Sequence, residues 1–169
     1  MSDAIFGQLI VAGTALLSGS LGLLGGFFIE RWRAGAAQEA RREARQDQRD
    51  DFQRQTLLEL QEAIGRFTRA VGSIHNDDLT AHHTTREWSR TRFSGDSNDD
   101  FLGALSRLQL LTERARDDEL RRLVTGFQNR GVLVTTSASR DEATKRMDDW
   151  MERLGDVQDR LGTVLRAFV

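Results

Sequence analysis

Apolar and polar positions divide the chain into three regimes. Ile5 to Ile29 is a run of 25 residues with no ionisable side chain, closed by Glu30-Arg31-Trp32-Arg33. A bilayer core of ~30 Å needs about 20 helical residues, so the run predicts a single transmembrane helix within residues 1–30. A cleavable signal peptide fits less well. It would carry a basic start and a shorter apolar core, whereas only the amino terminus and Asp3 bear charge before the run.

The second regime, residues 31–54, reads as a charged helical stalk. Ala34 to Asp51 is rich in Ala, Glu, Gln and Arg and has almost no apolar seam. At 100° per residue, Glu39, Glu43, Asp47, Asp50 and Asp51 share one sector of about 120°. Arg41, Arg42, Arg45 and Arg49 fall roughly 200° to 300° from Glu39. One side is acidic and the other basic, so Glu39, Glu43, Asp47, Arg41, Arg45 and Arg49 are candidate contacts between neighbouring stalks. Within the stalk, Asp50 and Arg54 stand at the i, i+4 spacing of an exposed pair.

In the third regime, residues 55–169, apolar positions recur at three and four, which predicts an antiparallel bundle of three to four helices. Leu57, Leu60, Ile64, Phe67, Val71 and Ile74 form a heptad seam, widened by Leu58, Ala63 and Ala70. His75 to Asp100 is the least regular part, with a loop expected around Ser94 to Asn98 and a continued or second short helix suggested by Leu79, Trp88 and Phe93. A further helix is expected from about Asp99, using Phe101, Leu105, Leu108, Leu111 and Ala115. The acids Asp117-Asp118-Glu119 either bend that helix or start another. Leu120, Leu123, Val124 and Phe127 continue the stripe, and Gly131 before Val132-Leu133-Val134 predicts a frayed end. Ser139 with Glu142 matches a capping box. The final helix then runs through Met147, Trp150, Leu154, Val157, Leu161, Val164 and Phe168, with Trp150 and Met151 assigned to the core. The expected fold class is therefore all-α throughout.

Charge sets the orientation. Arg31, Arg33, Arg41, Arg42 and Arg45 follow the apolar run within about 20 residues, and no Lys or Arg precedes it. The amino terminus should face out of the cell membrane and the C-terminal domain should lie in the cytoplasm. Phe27, Phe28 and Trp32 suit an interfacial aromatic anchor. Thr14, Ser18, Gly22 and Gly26 recur every four residues, a ridge of small side chains that would let two membrane helices pack closely. They are the candidate helix–helix interface.

Composition narrows the chemistry. With no Cys, disulfides and thiolate metal sites are excluded. Lys145 is the only lysine among 24 basic residues, and the formal net charge is -2. The arginine bias thus reads as coding bias, and nucleic acid is not an expected partner. His75 and His82, seven apart, would stand about 10 Å apart along a helix, too far for one ion. No GxxxxGK[ST], HExxH or GxSxG motif occurs. No enzyme activity, catalytic residue, metal, cofactor or small-molecule substrate is expected.

The segments GTALLSGSLGLLGGFF and RWRAGAAQEARREARQ, followed by a small helical domain, resemble the KilB-like membrane proteins of actinobacteria. That resemblance implies an accessory or interaction role in conjugative plasmid transfer, and it transfers no functional residue. The expected function is a bitopic interaction or scaffold protein. It would act in the lipid bilayer through self-association and an unidentified protein partner. Two alternatives stand beside it: a membrane-perturbing, lysis-related protein, and a membrane tether for nucleic acid.

Overall fold

The computed structural model describes residues 38–86, 88 and 97–168 in full, and residues 2–37 and 96 as helical backbone alone. Four helices follow one another: α1 (Ser2–Thr85), α2 (Asp96–Arg114), α3 (Asp118–Thr135) and α4 (Arg140–Arg166). Among the described residues there is no strand, so the all-α class holds. The chain divides into two compact units, residues 1–48 and residues 49–169.

The first unit is the N-terminal part of α1. The expected span Ile5–Ile29 and the ridge Thr14, Ser18, Gly22 and Gly26 lie outside the residues whose side chains are described. Among the described residues, no helix is long and apolar enough to cross a membrane.

The second unit is an up-down-up-down bundle, as its cross-helix contacts require. Between α1 and α2, Gln53 meets Arg114, Glu59 meets Arg107 and Phe67 meets Phe101, so one helix rises as the other descends. Between α3 and α4, Asp117 meets Arg160 and Phe127 meets Trp150, again antiparallel. The short connections, residues 115–117 and 136–139, leave neighbouring helices little choice but to reverse.

The α1 seam is the spine of the core. Leu57, Leu60, Ile64, Phe67, Val71 and Ile74 are all buried, as the three-four rhythm predicts. Phe67 sits at the centre, with ring centroids 5.7 Å from Phe101, 6.0 Å from Phe127 and 6.0 Å from Trp150. Phe127 and Trp150 stack at 4.7 Å, and the indole N–H of Trp150 donates to the Phe127 carbonyl at 2.8 Å. That polar handle is why a tryptophan can be fully buried here.

Several expectations need correction. Leu58 and Met151 are exposed, since each lies about 100° around its helix from a seam residue. Helix α1 continues past His75 to Thr85, one of the two courses expected for that stretch, and Trp88 lies beyond its end. Thr80, Thr84 and Thr85 satisfy their hydroxyls inside it by donating to carbonyls four residues back. Arg86, at φ 64°, then ends it in the left-handed conformation, its amide donating to the His82 carbonyl. Helix α2 begins at Asp96, inside the stretch expected to be loop.

The acid triplet starts a new helix. Asp117 is the N-cap of α3 and accepts from the Leu120 amide at 2.7 Å, while Asp118 and Glu119 occupy the first turn. Gly131 does not fray α3. It is buried, and the helix continues to Thr135. A Cβ at Gly131 would lie 2.6 and 2.8 Å from the Phe67 ring and 3.2 Å from Trp150. The glycine therefore costs about 1 kcal/mol of helix propensity but lets two aromatic rings close onto the α3 backbone. Ser139 caps α4, accepting from the Glu142 amide, as expected. Glu142 in turn accepts from the Ala138 amide at 2.8 Å, one residue before the position that the simplest capping box uses.

Candidate functional site

The charged segment of α1 offers the first candidate surface. Gln38 to Arg49 is exposed at every position. Glu39, Arg41, Glu43, Arg45, Asp47 and Arg49 are all solvent-facing, and no ion pair or side-chain hydrogen bond joins them to another described residue. The expected pair of Asp50 with Arg54 is replaced by Asp50 with Arg116, at 3.5 Å. Asp50 therefore points to the α2–α3 connection and away from its own helix.

At that connection lies a polar clamp that the sequence did not reveal. Residues 115–117 are non-helical and leave backbone groups to be satisfied. Gln53, buried, donates its amide to the Arg114 carbonyl at 3.1 Å and accepts from the Arg116 amide at 3.1 Å. Arg121 donates to the Ala115 carbonyl at 2.8 Å. Arg160 of α4 closes the cluster with a two-pronged grip on Asp117, at 2.9 and 2.6 Å. Gln53, assigned to the stalk by its polarity, thus belongs structurally to the bundle.

The Arg160 guanidinium holds the Asp117 carboxyl below the usual carboxylate range, helped by the Leu120 amide and opposed by partial burial. A carboxyl whose pKa is lowered by folding stabilises the fold above its unfolded value, and that contribution disappears as pH falls through the folded value. Acid titration of the full chain should therefore show a loss of stability, below about pH 4, that is shallower in Asp117→Asn. Equal slopes in both proteins would show that this pair does not couple folding to protons. Glu119 is likewise lowered by Arg122, but both are exposed and screened.

A groove of about 650 Å³ runs between α1 and α2, with Ala70, Gly103 and Ala104 among its lining residues. Its rims carry Arg66 and Arg69 on α1 and Asp99, Asp100 and Arg107 on α2. Arg66 is held by Glu62 at 2.7 Å and Arg107 by Glu59 at 2.5 Å. With both signs on open rims and two arginines already paired, the groove has the character of a solvated helix junction.

At the opposite end of the bundle, α1 brings His75, Asp78 and His82 to its core-facing side, with Asp78 buried and the two histidines half-buried. The Trp88 indole donates to the Ser137 carbonyl at 3.1 Å, and the His82 and Trp88 rings meet at 6.1 Å. This joins the end of α1 to the α3–α4 turn, where Arg146 donates to the Leu133 carbonyl at 3.0 Å. Among the described residues, no group of three acids or histidines is placed to hold a metal ion. The arrangement is a polar end-plate for the bundle.

Comparison with protein-family models, curated proteins and solved structures yields no match for this chain.

Proposed function

We propose that the chain is a bitopic membrane protein whose cytoplasmic helical bundle acts by binding partners and by self-association, as an accessory of conjugative plasmid transfer. The observation that carries this reading is the exposed charged segment of α1. Residues 38–49 present full side-chain charge to solvent, with no partner among the described residues. They stand between an uncharged run long enough to span a bilayer and a bundle with a filled aromatic core. A helix of this kind serves as a spacer with binding faces, because the bundle's own stability does not use those charges. The plasmid-transfer role rests on the KilB-like resemblance alone.

The experiment is membrane fractionation of the full chain with a reporter fused after Val169. Retention in the membrane with a cytoplasmic reporter is expected. A chain released into the soluble fraction, or a reporter active outside the cell, overturns the reading.

A further inference from the structure

Residues 38–49 read as three tetrads, QEAR, REAR and QDQR. In an α-helix a step of four residues turns 400°, so equivalent positions form rows that drift by 40° per tetrad. Three rows follow side by side around α1. Glu39, Glu43 and Asp47 make an acidic row, Ala40, Ala44 and Gln48 the next, and Arg41, Arg45 and Arg49 a basic row. Each i, i+4 pair within a charged row joins like charges, which destabilises an isolated helix. All nine side chains are exposed, and the six charged ones find no partner among the described residues.

We infer that this three-row face docks on the same face of a second copy of the chain, in parallel orientation. This rests on the self-association proposed above and specifies its surface. The middle row carries the two alanines, Ala40 and Ala44, the shortest side chains of the face, so two backbones approach along them. Symmetry then fixes the direction. A two-fold axis along the helices places the acidic row of each copy against the basic row of the other, on both sides of the alanines. A two-fold axis across the helices, giving an antiparallel pair, would set acid against acid and arginine against arginine. Only the parallel pair is attractive along both edges.

The spacing also fixes the crossing. Rows at i, i+4 that interdigitate on both helices cross at about -50°, unlike the shallow angle of a heptad coil. Contact therefore centres on Ala44 and is short. Opposed charges are offset by two residues, as in Glu43 to Arg45 of the other copy, about 3 Å of rise. Arginine reaches that distance readily and can grip a carboxylate with two donors. A lipid surface would fit less well, because the acidic row would face it as often as the basic one.

The test uses the full chain in mild detergent and in membranes. Arg41, Arg45 and Arg49→Glu gives one variant; Glu39, Glu43 and Asp47→Arg gives a second; both sets together give a third. Each charge variant alone should lose intermolecular crosslinking, whereas a mixture of the first two, and the third by itself, should regain it. Raising salt should weaken the association of the native chain. Equal crosslinking in all samples, or none in any, overturns the proposal, with circular dichroism confirming that each variant remains helical. Because the chain has no Cys, single Ala40→Cys and Gln48→Cys variants report direction. Disulfides within each variant are expected for a parallel pair; disulfides formed only between the two variants overturn the orientation. Membrane fractionation of the same samples separates failure of this face from failure of the anchored reading.

Discussion

Trp150→Ala should lower stability by about 3–5 kcal/mol, the range for removing a large aromatic from a packed core. Three losses combine at this site. The side chain is fully buried, so its removal forfeits the favourable burial of that apolar surface and leaves a cavity that the surrounding helices fill only in part. Its stack on Phe127 and its edge contact with Phe67 disappear together, taking contacts from α1 and α3 at once. The Phe127 carbonyl also loses the indole donor. A domain of this size has only about 5–15 kcal/mol of total stability. Thermal unfolding of the full chain, followed by circular dichroism, should show the bundle's cooperative transition strongly lowered or abolished. Trp150→Phe should retain much of the stack and fall between. A variant that melts like the native chain would mean that the indole is not the keystone of these helices.

Gln53→Ala should be the most damaging polar substitution. Its amide is the common partner of the Arg114 carbonyl and the Arg116 amide, at the one place where α2 has ended and α3 has not begun. Leaving buried backbone groups unpaired costs about 1–3 kcal/mol each. Water can reach part of this site, which places the expected total toward the lower end. Gln53→Glu separates the two roles, since a carboxylate still accepts from Arg116 but offers nothing to the Arg114 carbonyl. Chemical denaturation should rank native above Gln53→Glu above Gln53→Ala. If alanine proves neutral, the connection is held by Arg121 and Asp117 without the glutamine.

Most of the bundle was legible because burial in helices writes itself as apolar spacing. The seam from Leu57 to Ile74 is buried as read, and in the last helix Trp150, Val157 and Leu161 are buried with Leu154 half-buried between them. The cap at Ser139 and the break at Asp117 were legible because side-chain acceptors at helix starts have a local chemical cause. What was not legible depends on partners distant in sequence. Gln53 looks like stalk by composition, and only the α2–α3 connection, some sixty residues on, shows why an amide is needed there. Gly131 looks like a weak point by propensity, and only the rings of Phe67 and Trp150 show that its missing Cβ is the useful feature. Leu58 and Met151 are set apart from the seam by helical angle alone, and that angle does not decide burial, since Ala63, equally far around from Ile64, is buried.

The stalk face was legible as a charge pattern, since alternating acids and arginines at fixed spacing need no fold to be seen. Among the described residues, Glu39, Arg41, Glu43, Arg45, Asp47 and Arg49 form no ion pair, whereas Asp50 pairs with Arg116.

The proposed topology has the uncharged run anchor the chain and the bundle lie in the cytoplasm. Its most direct test is alkaline carbonate extraction of membranes from cells producing the full chain with a reporter after Val169. The chain should stay in the membrane pellet, and the reporter should be active only in the cytoplasm. Extraction into the supernatant, or reporter activity on the outer face, would contradict it.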